Sequence, residues 1–538
     1  MIFARGHWLV TPFTRVTFTD ESTQPLINAL LTTPEKRRYY LLRIDPYDTV
    51  SAGTVERNFG AGLSRISGSS ALWRPRLIDA FNVTTDLFSG PLEIGGEGRP
   101  AYGAINIAIG DAYNADELTT YLYDGRDIRL YLGGSPDEGW TFGDYVEVFR
   151  GRCEEATWTE DLLTLVVRDP STRLDVPIQN TFYAGTGGDE GQEELEGKPK
   201  PLCYGRPRNI SPVLVDRNYL IYQIHDGPVL AIGDVYGKGD LYTLSGDTTD
   251  LRAWTPVSGE YQTDLSRGMF RLGSTPQGIV TADNIQGDSD AGTLRETQGA
   301  LLRRILKSRG GFVDSDLDLP SLATLDANNQ ELSLYLTDST TISEVVDLIL
   351  LPRGYRTFDT LGKFRAGRLE LGVTSIIVKA PYIVSLLRDH TPLPAYRISL
   401  GYARNWTKMS ENDLAAVGAE LDKDFATNEW RRVVAKDDAV WNPTAQTGKH
   451  PRAKDLTIDS LWNDSADAQT EVDSLHSLVK ADRNTYRVTC VGMHFRARVG
   501  ETVRLIHPRF GLSAGKAMLI LGVTENTSTG LTDFRLWG

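Results

Sequence analysis

The residues that could do chemistry in this 538-residue chain are widely spread. Cys490, His494 and His507 form the one trio to try as zinc ligands, because three nitrogen or sulfur donors can hold a catalytic zinc. Cys490 and His494 stand four apart on a stretch with strand-like alternation, so they share a face but lie roughly 13 Å apart along it. His507 precedes a proline in HPRFGL, and no HExxH is present. Asp314, Asp316 and Asp318 alternate in DSDLDLP as in a calcium loop, but the sharp-turn glycine and the closing glutamate are missing. A solvated turn is expected there. Glycoside hydrolysis needs two opposed carboxylates, and Glu154, Glu155 and Asp226 qualify no better than any others among 71 Asp and Glu. Neither GxSxG nor GxxxxGK[ST] occurs. The Gly-rich GAGLSRISG lies in β and loop pattern rather than strand–turn–helix, which argues against a dinucleotide site.

The cysteines, Cys153, Cys203 and Cys490, include no CxxC pair. A disulfide framework, a four-cysteine zinc site and a four-cysteine iron–sulfur cluster are therefore excluded within one chain, and buried thiols are expected. Phosphate contact is the remaining chemistry. Lys198, Lys200, Arg206 and Arg208 sit in a proline-punctuated loop just after the acidic run EGQEELE. Such cations are expected to dock on an acidic neighbour, that run included, rather than on nucleic acid. Tyr204, Tyr219 and Tyr222 read as strand-core tyrosines. Trp73, Trp140, Trp158 and Trp406 read as core tryptophans rather than sugar-stacking platforms. Lys and Arg total 57 against 71 Asp and Glu, a net charge of -14, which excludes a generally basic nucleic-acid or membrane-surface binder. No cofactor or metal is expected.

The elements that must position these residues are mostly short strands. Gly and Pro are spread along the length, and period-two alternation runs through YLLRIDPYDTVSAGTVERNF, RDIRLYLGG and EDLLTLVVRD. Residues 184–212 lose any period and read as an extended loop or interdomain crossing. β pattern resumes to about residue 283. Two helices follow, each with a capping-box signature, Thr293 with Glu296 and Thr341 with Glu344. The apolar stripes are Leu294, Leu301, Leu302, Ile305 and Leu306 in one, and Ile342, Val345, Val346, Ile349 and Leu350 in the other. A hairpin turning at Leu361-Gly362-Lys363 comes next. The last part returns to strands around helical candidates near 411–424 and 465–480. The expected fold class is mainly β with an α+β insertion. It divides into an N-terminal β-rich part (1–180), a linker loop with a second β-rich segment (181–284), an α+β part (285–380) and a barrel-like C-terminal part with helical insertions (381–538). The N-terminal stretch lacks the apolar core of a secretory leader, and apolar runs such as VVDLILLP fall short of the ~18 residues of a membrane span. Synthesis in the cytoplasm and release without a leader, as by lysis, are expected.

Three stretches carry a family likeness: GRCEEATWTEDLLTLVVRDPSTRLDVPIQNTFYAGTGG, LEGKPKPLCYGRPRNISPVLVDRNYLIYQIHDGPV and the ending VGETVRLIHPRFGLSAGKAMLILGVTENTSTGLTDFRLWG. Together they resemble the tail-tip or baseplate hub proteins of long-tailed bacteriophages, including relatives in Mu-like Pseudomonas phages and prophages. The likeness runs over most of residues 70–538. The resemblance implies a non-enzymatic virion protein at the tail tip, with β-barrel hub domains and a small α+β domain. It further implies trimers whose two related barrels per subunit make a pseudo-sixfold ring. The implied partners are other copies of the chain, the distal tail ring, a central spike or fibre and the tape-measure protein, with DNA passing through the channel. The rivals are a sixfold distal tail protein, a fibre adaptor, a tail-borne cell-wall hydrolase and a carbohydrate-binding module. The loop 184–212, with Lys198, Lys200, Arg206 and Arg208, is expected to be an inter-subunit or inter-domain contact, because a proline-glycine segment costs entropy to order unless something fixes it. Its deletion is expected to leave a folded chain.

Overall fold

The computed structural model describes residues 38–60, 65–80, 82–87, 99–110, 118–389, 393–410, 423–491, 495 and 497–538. Alternating apolar residues build the first sheet. Its strands are β1 (Tyr39–Ile44), β2 (Arg57–Gly60), β3 (Leu77–Asp79), β5 (Ile105–Ala108), β6 (Asp127–Gly133), β7 (Val146–Trp158) and β8 (Leu162–Val167), while β4 (Val83–Asp86) leaves for another sheet. The order is β2-β1-β6-β7-β8-β5-β3. In β8, Leu163, Leu165 and Val167 point into the core and their neighbours do not. Each such burial contributes ~1.5–3 kcal/mol. The long β7 pairs with β6 through its first half and β8 through its second, with a bulge between Cys153 and Glu155 that bends it from one to the other. Trp73 and Trp140 lie in this core as expected; Trp158 does not, being 37 % exposed at the strand end, edge-on to Tyr123.

The middle of the chain makes β9 (Leu202–Gly205), β10 (Val213–Asp216), β11 (Ile221–Gln223), β12 (Thr243–Asp247), β13 (Glu260–Asp264), β14 (Met269–Leu272) and β15 (Gln286–Asp290). Five of these form a sheet in the order β10-β11-β14-β13-β12, with β12 parallel to β13. Then come α1 (Gln298–Ser308), α2 (Leu319–Leu325), β16 (Ser333–Leu336), α3 (Ile342–Leu350) and the hairpin β17 (Gly354–Phe358) and β18 (Phe364–Arg368). The Thr341–Glu344 capping box is present: the Thr341 hydroxyl accepts the Glu344 N–H at 3.2 Å, and the Glu344 carboxylate accepts the Thr341 N–H at 2.9 Å. The box expected at Thr293–Glu296 is not. Thr293 and Leu294 form a short strand against Ser289 and Asp290, and α1 begins four residues later. Its first turn is capped from outside, by Asp326 accepting the Gly299 N–H at 2.6 Å, while Glu296 serves Arg206. At the hairpin turn, Asp359 accepts the Leu361 and Lys363 N–H groups, and Gly362 takes the left-handed conformation at φ 75.

The last part contains β19 (Thr374–Lys379), β20 (Ile383–Arg388), β21 (Ala395–Tyr402), α4 (Lys423–Thr427), β22 (Arg431–Lys436), β23 (Lys454–Asp459), α5 (Ser465–Val479), β24 (Thr485–Val491), β25 (Thr502–Ile506), β26 (Lys516–Asn526) and β27 (Leu531–Trp537). The helix expected near 465–480 is α5, with Val472, Leu475 and Val479 buried as its stripe and Asp464 capping the Ala466 and Asp467 N–H groups. Most of the candidate near 411–424 lies outside the described residues, with α4 starting at its end. Strands β19-β25-β26-β27-β24-β20 form one sheet. Its two end strands, β19 and β20, are joined by the short turn Ala380–Tyr382, so the sheet curls into a nearly closed barrel. The fold is mainly β and multidomain with α+β elements, as expected. Among the described residues no helix is long and apolar enough to cross a membrane.

Two ties bind distant parts of the chain. Strand β4 pairs with β26, Val83 opposite Glu525 and Asp86 opposite Gly522. Gly522 permits that approach, because a Cβ there would stand 1.8 Å from the Asp86 carboxylate. The buried Arg353, just before β17, grips Glu471 of α5 through two bonds of 2.8 and 2.9 Å. Glu471→Ala should cost about 3–5 kcal/mol, because it strands the arginine charge in the core. Urea unfolding at neutral pH reads this directly, and a loss below ~1 kcal/mol would count against a buried pair.

Candidate assembly interface

The segment after β8 shows how a glycine-rich, period-free stretch can still be ordered. Residues 181–183 run against 197–200: Tyr183 N–H donates to Lys198, Gly197 N–H to Tyr183 and Lys200 N–H to Thr181. Between these stems the chain makes two short 3-10 turns, Gly188–Glu190 and Glu193–Leu195. Gly185, at φ 70, lies where a Cβ would meet Glu196 at 2.7 Å. Ion pairs staple the turns to the middle sheet. Asp189 binds Arg252 at 2.8 Å and also Arg267, and Glu194 lies 3.3 Å from Arg217. The expectation of an extended loop or interdomain crossing over 184–212 is corrected for its second half. Its second half holds β9, with Leu202, Cys203 and Tyr204 all buried, and deleting 184–212 would remove part of the core.

The four basic residues are not gathered on one free surface. Lys200 pairs with Glu190, in the acidic run, at 2.8 Å, so the anticipated docking on that run occurs within one chain. Arg206 reaches Glu296 at 2.8 Å. Arg208 grips the buried Asp283 at 2.9 and 3.2 Å and lies over the Phe425 ring. Lys198 is exposed. Tyr204 and Tyr222 are core tyrosines, but Tyr219 is 40 % exposed in a turn, with Arg271 and Arg252 over its ring.

Of the densest ionisable cluster among the described residues, sequence reasoning named only Asp226. His225 and Asp226 follow β11, Asp288 lies on β15, and Arg304 and Arg309 lie on α1 and just past its end. Arg304 holds Asp288 with bonds of 2.7 and 3.0 Å, and Arg309 holds Asp226 with bonds of 2.6 and 2.7 Å. His225 Nδ1 accepts the Cys203 N–H at 3.0 Å, which places the ring proton on Nε2. Nε2 faces Asp288 at 3.4 Å and Asp226 at 3.6 Å. Thr181 donates to Asp226, and Arg309 also reaches Asn180 and the Tyr204 hydroxyl. Burial pushes the Asp288 carboxyl up, but the bonds from His225 and Arg304 outweigh it and bring it down to about 2. Asp226 is lowered in the same way, Arg309 and His225 outweighing its burial. Every member is spent on another, so the cluster fastens α1 to β9, β11 and β15. Its sequence trace was the His-Asp dipeptide at 225–226, within IYQIHDGP, and the paired arginines 303–304.

The other chemical candidates are placed as follows. Burial pushes the Cys153 and Cys490 thiols up to about 12 and raises the Cys203 thiol too, which leaves them inert. Cys490 points into the barrel, His507 lies beyond β25 with Nδ1 accepting the Arg509 N–H, and His494 lies outside the described residues. Among the described residues no three His, Cys, Asp or Glu converge as metal ligands. Asp314 is bound by Arg303 and Lys307, Asp316 by Arg173, and Asp318 lies 3.6 Å from Arg365. Glu154 and Glu155 are exposed at the β7 bulge. Of GAGLSRISG, residues 61–64 lie outside the described residues; Gly60 ends β2, and residues 65–68 are not helical.

No known family matches this sequence, and no curated protein matches it. Solved structures do resemble it. A 43 kDa tail protein of prophage MuSo2 from Shewanella oneidensis covers 93% of this chain and 96% of its own at 10% identity and a TM-score of 0.32. A tail protein from Neisseria meningitidis MC58 covers the same shares at 9% identity and a TM-score of 0.38. The prophage tail protein gp18 of Listeria monocytogenes EGD-e covers 93% and 94% at 10% identity and a TM-score of 0.39. Likeness at this level carries no argument about what this chain does.

The joint at Asp288 makes a pH prediction. A carboxylate whose folded pKa lies below its unfolded value of 3.8 adds stability that is present above about pH 4 and lost as pH falls through about 2. Asp288→Asn should therefore destabilise the protein at pH 7, and its deficit against wild type should shrink by ~2 kcal/mol towards pH 2. Urea unfolding at several pH values measures it. A deficit that does not change with pH would contradict the ionic role of Asp288.

Proposed function

We propose that the chain is the hub subunit of a phage tail tip, a structural virion protein that assembles as a trimer around the tail axis. In this reading it closes the tube, links the distal tail ring to a central spike or fibre, and opens for the tape-measure protein and DNA. The observation that carries the reading is the filled barrel. Val378, Val488, Cys490, Val503, Leu505, Met518, Phe534 and Leu536 are all buried in the core the barrel shares with α1 and α3. A filled barrel leaves no conduit for DNA within it, which favours a channel between copies. The chain is also built as one tied piece, through the β4–β26 pairing and the Arg–Asp joint. That suits a part that bears load through its interfaces. The sequence likeness in GKPKPL, YGRPRN and IYQIHDGP points the same way. Part of the net charge of -14 lining the inter-copy channel would keep DNA from sticking to it.

Averaged particle images of purified tails test the reading. Threefold density at the distal tip that accommodates this chain is the expected result. A sixfold ring would transfer the assignment to a distal tail protein or fibre adaptor, and absence of the chain from the tip would end it. Neutralising lumen-facing carboxylates in that ring should slow DNA ejection; unchanged ejection would remove the charge argument while leaving the location intact.

A further inference from the structure

Two strand ends of this chain carry exposed apolar residues beside opposite charge. One is β20, an end strand of the barrel sheet, whose sole ladder partner among the described residues is β24. Val384 and Leu387 stand out from it at 60 % and 57 % exposure. Arg388 at its end is exposed and donates to the neutral Asn484, and Lys516 and Arg483 lie close by. Burial first, and then the charges of Arg483 and Arg388, lower the Lys516 pKa against the pull of Asp482. Of the nearby carboxylates, Asp389 pairs with Arg487, while Asp482 lies against His450 and also acts on Lys516. The other is β12, the outermost strand of the middle sheet, which pairs with β13 alone among the described residues. Leu244 on it is 50 % exposed, and Leu241, 44 % exposed, comes just before it on the short strand Asp240–Leu241 that pairs with Tyr236 and Gly237. Asp240, Asp247 and Asp250 line the same run and are exposed.

We propose that these two surfaces are halves of one contact: the β20 edge of one copy docks on the β12 edge of the next. The occupant is a second copy because each half supplies what the other lacks, two exposed apolar side chains with cations against two with carboxylates. Both edges also contain a bulge, between Ile383 and Ser385 and between Leu244 and Gly246. A bulge turns an edge away from strand addition, so the halves meet through side chains. Unlike surfaces make a head-to-tail contact, which closes into a ring when the rotation permits. The contact rests on the ring of the proposed function and replaces the basic loop as its seat.

Light scattering and sedimentation of the full chain at low and high salt test it. Wild type should assemble, and its assembled fraction should fall with salt. Val384→Lys with Leu387→Lys, and separately Leu241→Lys with Leu244→Lys, should each weaken association about 100-fold, as loss of two hot-spot side chains does. Unchanged circular dichroism would show that the variants fold. Arg388→Glu with Lys516→Glu should dissociate the assembly, and adding Asp240→Lys with Asp250→Lys should restore it. Assembly that survives both lysine pairs, or reversal without rescue, overturns the contact. A wild type that stays monomeric at low salt also overturns it, while the hub reading would still stand or fall on the tail images.

Discussion

Two bidentate arginine–aspartate pairs, Arg304–Asp288 and Arg309–Asp226, set the arrangement around the middle of this chain. Helix α1 has an apolar face that buries Leu301, Leu302, Ile305 and Leu306 in the core it shares with α3, the hairpin and the barrel. Arg304, and Arg309 just past its end, point the other way, into Asp288 on β15 and Asp226 after β11. Burying such charges costs several kcal/mol per ion unless each is matched, and here each is matched twice. The apolar face gives the helix its place in one core, and the ionic face fixes it at one orientation against the other. His225 completes the fit by accepting from Cys203 on one side and facing both aspartates on the other.

The same logic of fastening recurs elsewhere. Strand β4 leaves the first sheet and pairs with β26 in the last, so the opening and closing parts of the described chain share backbone hydrogen bonds. Arg353 and Glu471 tie the hairpin to α5. The basic loop expected to reach outward is turned inward, onto Glu190, Glu296 and Asp283. With those three cations consumed, Lys198 alone of the four stays exposed. Edges are where a β protein must either protect itself or be covered.

Much of the secondary structure was legible. Period-two alternation located β8, the Thr341–Glu344 box located α3, and the stripe Val472, Leu475, Val479 located α5, because these signals depend on residues within a few positions of one another. The failures share a cause. Thr293 and Glu296 had the spacing of a capping box, but Asp326 arrives from α2 to cap α1, and Glu296 is drawn to Arg206. Trp158 and Tyr219 had core-like surroundings in sequence yet lie at a strand end and in a turn. The run 184–201 had loop composition, and its order comes from partners such as Arg217, Arg252 and Arg267 that lie well beyond it in the chain.

What the sequence by itself determined is the mainly β character, the α+β insertion, the inert cysteines and the lack of any spaced catalytic or ligand motif. All of these follow from composition and short-range periodicity. What only the tertiary structure decided is which charges are spent and which remain. Lys200, Arg206 and Arg208 look like a free basic patch until their carboxylates come into reach, and Arg388 and Lys516 look unremarkable until the barrel sets them side by side. Periodicity fixes the face on which a side chain emerges. An ion pair depends on distance in space, and no local pattern encodes that across a hundred residues of chain.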